Sequence, residues 1–206
     1  MPSIKNYQKA LLIALPLALS ACGDDDTREV IVEVEVPAPV PTPVDVSYEV
    51  TVTNLTNGQP VSPPAIVLHT EGTLWALGEV PSVALERIAE EGTSDEFLTL
   101  GTVSAGGDGP ITPGNNQTIS VTIQDITNAK LTIAAMLGNT NDTFSGLSAW
   151  DLSQLEVGDN PTRDDTGFIS MHPGVVSADD GLSTSALTVD HKFDNPVIRI
   201  KITRTE

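Results

Sequence analysis

From Val46 onward the apolar residues of this chain recur at every second position, a period that suits a β-strand and not a helix. Tyr48, Val50 and Val52 alternate with Glu49, Thr51 and Thr53 until Asn54 and the Asn57-Gly58 pair interrupt them. That is the pattern of a half-buried strand closed by a turn. Further strands are expected over Ala65–His69, Phe97–Val103, Gln117–Gln124, Leu131–Leu137, Gly167–His172 and Val197–Arg204. Turn-forming clusters separate them: Gly106-Gly107-Asp108-Gly109-Pro110, Pro113-Gly114-Asn115-Asn116 and Gly158-Asp159-Asn160-Pro161. Short strands joined by such turns predict an all-β domain, an antiparallel β-sandwich or barrel. One segment departs from the pattern. Pro81 to Glu91 places Leu85, Ile88 and Ala89 at i, i+3 and i+4, with Pro81 suited to a first turn and Gly92 to a C-cap. It predicts one short inserted helix over about residues 81–91. Glu90 and Glu91 stand at the wrong end for its dipole, so packing must hold it.

The chain before this domain has a different composition. Residues 22–45 begin acidic, pass through alternating Val and Glu, and become Pro37-Ala38-Pro39-Val40-Pro41-Thr42-Pro43. Proline at every second position favours an extended spacer that cannot enter a sheet interior, so this stretch is expected to be a tether, the alternative for its alternating Val and Glu part being an edge strand. Residues 1–21 carry Lys5 and Lys9, then an apolar run from Ala10 to Leu19 broken by Pro16. That order marks a secretory signal rather than a membrane span, which needs about 20 apolar residues. Leu19-Ser20-Ala21-Cys22 resembles the lipobox of bacterial lipoproteins. The resemblance implies cleavage before Cys22 and acyl chains on it, with attachment to a membrane through those chains. Gly23 is not the aspartate that commonly retains lipoproteins at the inner membrane, so the outer membrane is the expected address. The globular domain is then residues 46–206.

The formal net charge of the 206 residues is −18, and the segment 1–21 contributes lysines but no acid. Nucleic acid and anionic lipid surfaces would be repelled, so anchoring has to come from acyl chains, of which stable attachment needs at least two. Cys22 is the only cysteine. Its acylation leaves neither a disulfide nor a thiol nucleophile. Roughly 160 globular residues suffice for one core of useful size.

The side chains that could carry chemistry are few. His69, His172 and His191 form no HExxH, and no G-x-S-x-G occurs. His69 ends the apolar run Ile66-Val67-Leu68, where a structural role is expected. Oxygen ligands are better represented. Asn139-Thr140-Asn141-Asp142 follows one expected strand directly, and Asp159, Asn160, Asp164 and Asp165 make a second acidic stretch. Two such loops meeting at one end of a sandwich could supply the six to eight oxygens that calcium takes; equally, acidic turns are common in so acidic a chain. A carboxylate-based hydrolase or carbohydrate-active protein using Glu71, Asp142 and Asp165 is the rival reading, and would need paired carboxyls about 5–9 Å apart. A purely structural envelope lipoprotein is a third. Trp75, beside Leu74, reads as a core anchor rather than a ligand platform.

Several segments, in order, resemble the spondin N-terminal domain family. They are Tyr48–Asn54 with Ser62-Pro63-Pro64, Leu74-Trp75 followed by Gly78-Glu79 and the helix to Ala89-Glu90 and Gly92, Met136–Phe144 with Asn141-Asp142, Met171-His172-Pro173-Gly174, and Asn195–Ile200. The resemblance runs from about Tyr48 to Arg204 and implies a C2-like antiparallel β-sandwich with one inserted helix. It also implies a non-enzymatic adhesion or binding module, with calcium at the loop end and a protein or glycan partner. Carried over, Asp142 matches the aspartate after the strand. Asp165, in Asp165-Thr166-Gly167-Phe168, matches the family's Asp-Ser-Gly-Phe. Asp164 and Asn141 rest on adjacency to these two. The family's Asp-Ala-Gly-Thr phrase is not intact between Trp150 and Arg163.

Overall fold

The computed structural model describes residues 42–124, 129–140, 142–164, 169–170 and 196–206. The expected signal segment 1–21, Cys22 and all but the last residues of the expected tether lie outside the described residues. So do Asn141, Asp165, His172, His191, Met171–Gly174 and all of the expected strand Gly167–His172 except Ile169 and Ser170.

The period-2 residues build β1 (Asp45–Asn54), β2 (Ala65–His69), β3 (Val103–Gly106), β4 (Asn116–Gln124), β5 (Lys130–Met136), β6 (Thr143–Asp151), β7 (Thr162–Asp164), β8 (Ile169–Ser170) and β9 (Ile198–Arg204). Two helices join them, α1 (Val83–Glu91) and α2 (Asp95–Leu98). The strands form two antiparallel sheets, ordered β4-β1-β9-β7 and β3-β2-β5-β6-β8. The sandwich expected from the alternation is therefore the architecture found. Val50, Val52, Ile119, Val121, Ile200 and Ile202 of the first sheet pack on Ile66, Leu68, Leu131 and Ile133 of the second, forming the core between the layers.

The second sheet is buried on both faces. Every residue of β2 is buried, which is why its sequence is a continuous apolar run rather than an alternation. Its outward residues Ala65 and Val67, with Ala134 of β5 and Phe144 of β6, are covered by Ala84, Leu85, Ile88 and Ala89 of α1. Ser82 caps this helix, its hydroxyl accepting from Leu85 N–H at 3.3 Å, so Pro81 stands before the helix and not in its first turn. Gly92 ends it at φ 71°, donating its N–H to Ile88 C=O, the αL cap that glycine adopts without strain.

Two strands differ from expectation. Phe97–Val103 is not a strand. Ser94-Asp95-Glu96 starts α2, acidic residues suiting a helix start, and Phe97 is fully buried beneath it; the strand β3 begins only at Val103. The second difference is β6, nine residues long, in a region read only as the end of an aspartate loop. Its alternation is broken by a β-bulge: Leu131 pairs with Trp150 and Ile133 with Leu147, so Thr132 faces two residues, Ser148 and Ala149. Between the bulge and the loop, Gly146 lies so close to β5 that a Cβ would overlap the Ile133 carbonyl oxygen.

Asn54 ties one end of the sandwich together. It is fully buried, and its amide donates to Gln59 O and Ile111 O at 2.8 Å each, while its Oδ1 accepts from Thr56 N–H at 2.9 Å. Asn54→Ala strands these groups, and each unsatisfied buried group costs about 1–3 kcal/mol. Urea unfolding is expected to show a loss of about 2–4 kcal/mol, against about 0.5 kcal/mol or less for a surface change such as Ser120→Ala.

Candidate functional site

The Asn54 end of the sandwich carries the candidate ligand Asp142. The 54–60 loop, the Val61–Ile111 bridge and the turn at 137–140 meet there. Gly138 N–H donates to Pro60 O at 2.7 Å, and Asn139 N–H to Gln59 Oε1 at 2.9 Å. The Asn139 amide donates to Gly58 O, so this side chain fastens the two loops to each other. Thr140 turns back through its N–H and hydroxyl, both donating to Leu137 O. Leu137 N–H to Thr143 O closes the turn at 3.0 Å. Asp142, directly before β6, is only 3% exposed, an unusual position for a carboxylate. An apolar groove of about 360 Å³ is lined by Pro60, Ser62, Pro63, Glu91, Pro110 and Met136, and by Gly138 of this turn; Asp142 is not part of its lining.

The second acidic stretch does not form one loop. Asp159 lies at the opposite end of the sandwich: its carboxylate accepts from Glu156 N–H, and its carbonyl accepts from Arg204 N–H next to the start of β1. Asn160 turns on Gly158 O. Asp164 is in β7, paired with Arg199 of β9, and both its oxygens take the guanidinium: Nε to Oδ1 at 2.6 Å and Nη2 to Oδ2 at 2.9 Å. A carboxylate held bidentately in this way is already satisfied. The Arg199 hydrogen bonds hold the Asp164 carboxyl below its ordinary value of 3.8. Of the four candidate ligands, the structure thus places Asp142 in the loop and Asp164 in an ion pair, while Asn141 and Asp165 lie outside the described residues. Among the described residues no three His, Cys, Asp or Glu side chains gather as a ligand group.

Of the rival reading's three carboxylates, Asp165 lies outside the described residues, and Glu71 and Asp142 are separated by the sheet itself. Glu71 follows β2, whose His69 pairs with Lys130 at one end of β5, whereas Asp142 adjoins the other end at Met136 and Leu137. Six residues of strand separate the ends, roughly 20 Å. Such a distance exceeds any two-carboxylate geometry.

His69 has a structural place that its position at a strand end predicted, and a partner that sequence reasoning missed. Nδ1 lies 2.9 Å from Glu71 O and Nε2 2.8 Å from Thr132 Oγ1. A carbonyl only accepts, so Nδ1 carries the proton and Nε2 accepts from the hydroxyl. Thr132 Oγ1 in turn accepts from Ala149 N–H at 2.9 Å. The bulge turns that N–H out of the ladder, and Ala149 is the one non-glycine residue of positive φ among those described, at 50°. Thr132 is fully buried, so this hydroxyl–imidazole pair locks the bulge and is closed to a substrate. Next to it Ser148 donates to Trp75 O, and the Trp75 ring meets Phe144 edge-on at 5.2 Å and 85°. Trp75, expected as a core anchor, is half-buried and packs against the cluster under α1 from its edge.

Thr132→Val keeps the shape but strands Ala149 N–H and His69 Nε2, and is expected to lower unfolding free energy by about 2–4 kcal/mol, with ¹⁵N NMR showing a shifted Nε2 resonance at His69 while Nδ1, still bonded to Glu71 O, keeps its proton. For Asp164, a folded-state value below 3.8 means that its bridge stabilises above the unfolded carboxyl value and is lost as pH falls through the lower folded one. Its exposure keeps the effect small. The carboxyl carbon of Asp164 is expected to titrate with a midpoint below 3.8, moving up toward that value in Arg199→Met.

Comparison of the chain with protein-family models finds none that matches, and comparison with curated proteins likewise finds no match.

Proposed function

We propose that this chain is an exported, lipid-anchored binding module: a spondin-like sandwich held off a membrane surface by the Pro-rich tether, acting by adhesion rather than catalysis. The observation that supports the reading is the burial of one carboxylate, Asp142, beside a turn whose Gly138 lines an apolar groove. Calcium held through Asp142 would set the conformation of that turn and so of one groove wall, with the partner, a protein or a glycan, meeting the groove. The engagement of His69 and Asp164 in structural bonds, and the separation of Glu71 from Asp142, favour this reading over the hydrolase. Attachment through acylated Cys22 agrees with a charge that repels anionic lipid. No helix among the described residues is long and apolar enough to cross a membrane.

A calcium site confined to the native state stabilises it by RT ln(1 + [L]/Kd), about 2.7 kcal/mol at a hundredfold excess over Kd. Thermal unfolding with calcium is therefore expected to shift upward by several degrees, and the shift is expected to vanish in Asp142→Asn. No shift at saturating calcium removes the metal from the reading. In the same expression system Cys22→Ser is expected to abolish fatty-acid labelling and release the protein from the membrane fraction; retention of both would overturn the anchor.

A further inference from the structure

The edge strands of the two sheets are unequal. β3 has four residues, the described β8 two, and β7 three, among them the charged Arg163 and Asp164. β4 has nine, Asn116-Gln117-Thr118-Ile119-Ser120-Val121-Thr122-Ile123-Gln124. Among the described residues its ladder partner is β1 alone, in an unbroken register from Asp45 opposite Gln124 to Thr53 opposite Asn116. Among the described residues no strand pairs with the opposite side of β4, which presents a row of backbone donors and acceptors. Natural sheets blunt such edges with lysine, proline, a bulge or short length, and β4 has none of these. It carries no ionisable side chain either, in a chain of net charge −18.

The sequence of β4 is nearly its own reverse. Laid antiparallel on a second β4 with Ser120 opposite Ser120, it brings Ile119 opposite Val121, Thr118 opposite Thr122 and Asn116 opposite Gln124. At these positions like meets like, and Gln117 opposite Ile123 is the one unlike pair; matching of this kind is the self-complementarity that a two-fold interface requires. The hydroxyls are already aligned for it. Thr118 Oγ1 bonds Thr51 Oγ1 at 2.8 Å, and Thr122 Oγ1 bonds Ser47 Oγ at 2.9 Å, across the existing β1–β4 pair. Opposite Thr residues add further cross-strand bonds of the same kind.

We propose that the open edge of β4 is a self-association site. Two copies of this chain pair antiparallel through β4, about a two-fold axis at Ser120, and their four-stranded sheets become one continuous sheet. Charge selects this edge. Elsewhere two copies of so acidic a protein repel, whereas across β4 the nearest like charges on the shared face are the Glu49 pair, Glu49 lying opposite Ser120. Three strand spacings, about 14 Å, separate them, more than the Debye length of about 10 Å at 0.1 M salt. The inference goes beyond the binding function proposed above and does not depend on it.

The test uses the full-length chain in mild detergent, with single cysteines added and the unmodified chain, which holds only Cys22, as control. Ser120→Cys is expected to give a disulfide-linked dimer on mild oxidation, because residues facing across the axis fall within the 4.4–6.8 Å Cα separation that a disulfide spans. Lys201→Cys, on the same sheet face but in β9, is expected to give none beyond the control. Sedimentation is expected to show a dimer that tightens with added salt and reverts to monomer in Ser120→Lys, an exposed position where folding, checked by circular dichroism, is retained. A monomer at every concentration overturns the proposal. So does a dimer that survives Ser120→Lys, or cross-linking no greater from Ser120→Cys than from Lys201→Cys.

Discussion

The double burial of β2 and β5 is the constraint on which the rest of the domain depends. With one cysteine in the chain, no disulfide joins its parts, and stability has to come from apolar surface removed from water. Two layers of core, one on each side of the second sheet, provide that surface. The outer layer exists only because α1 lies on it. A nine-residue helix is too short to persist alone, and its last turn is acidic. Helix and outer sheet face therefore form together, and the cap at Ser82 and the stop at Gly92 fix where the cover begins and ends.

Polar bonding divides the labour at the two ends. At one end a buried amide, Asn54, joins three connections whose own sequences are mostly turn residues. At the other, Arg204 donates to Leu155 O, and Gly158 and Asp159 exchange backbone bonds with Arg204, fastening the 152–161 connection to β9. The short β7 is held on both its faces. Asp164 grips Arg199 on the outside, while the Arg163 guanidinium stacks on Trp150 of the other sheet at 4.6 Å. A strand with only three ladder positions gains its fixity from these side-chain contacts.

Much of this fold was legible in the chain because it obeys simple periods. β1, β4 and β9 bury alternate residues, β2 and β5 are compact apolar runs, and α1 carries its i, i+3, i+4 stripe between recognisable caps. Phe97–Val103 misled because Phe97 and Leu98 have the composition of a strand but follow Ser94-Asp95-Glu96, a helix start. β6 was hidden because one extra residue divides its alternation into two halves, each too short to signal by itself. The site was less legible still. Adjacency in sequence grouped Asp159, Asn160 and Asp164, yet the path from the 152–161 connection through β7 carries them from one end of the sandwich toward the other. No local signal announces that Asp164 faces Arg199, since the pairing is set by register between strands 35 residues apart. The buried Asn54 could have been suspected as the polar stop of β1, but its three partners could not.

The bulge in β6 acts as a change of parity along the strand. Before it, Phe144 points outward to α1; after it, Trp150 points inward, where Arg163 reaches its ring. In an unbroken strand, residues six apart share a face, and Trp150 would stand beside Phe144 on the helix side. One inserted residue thus lets a single strand serve both layers of core with its two large aromatic side chains. A length change of one residue on either side of Ala149 is then no local event. It exchanges inside for outside along half a strand, so the spacing between Phe144 and Trp150 is as much a part of the fold as the side chains themselves.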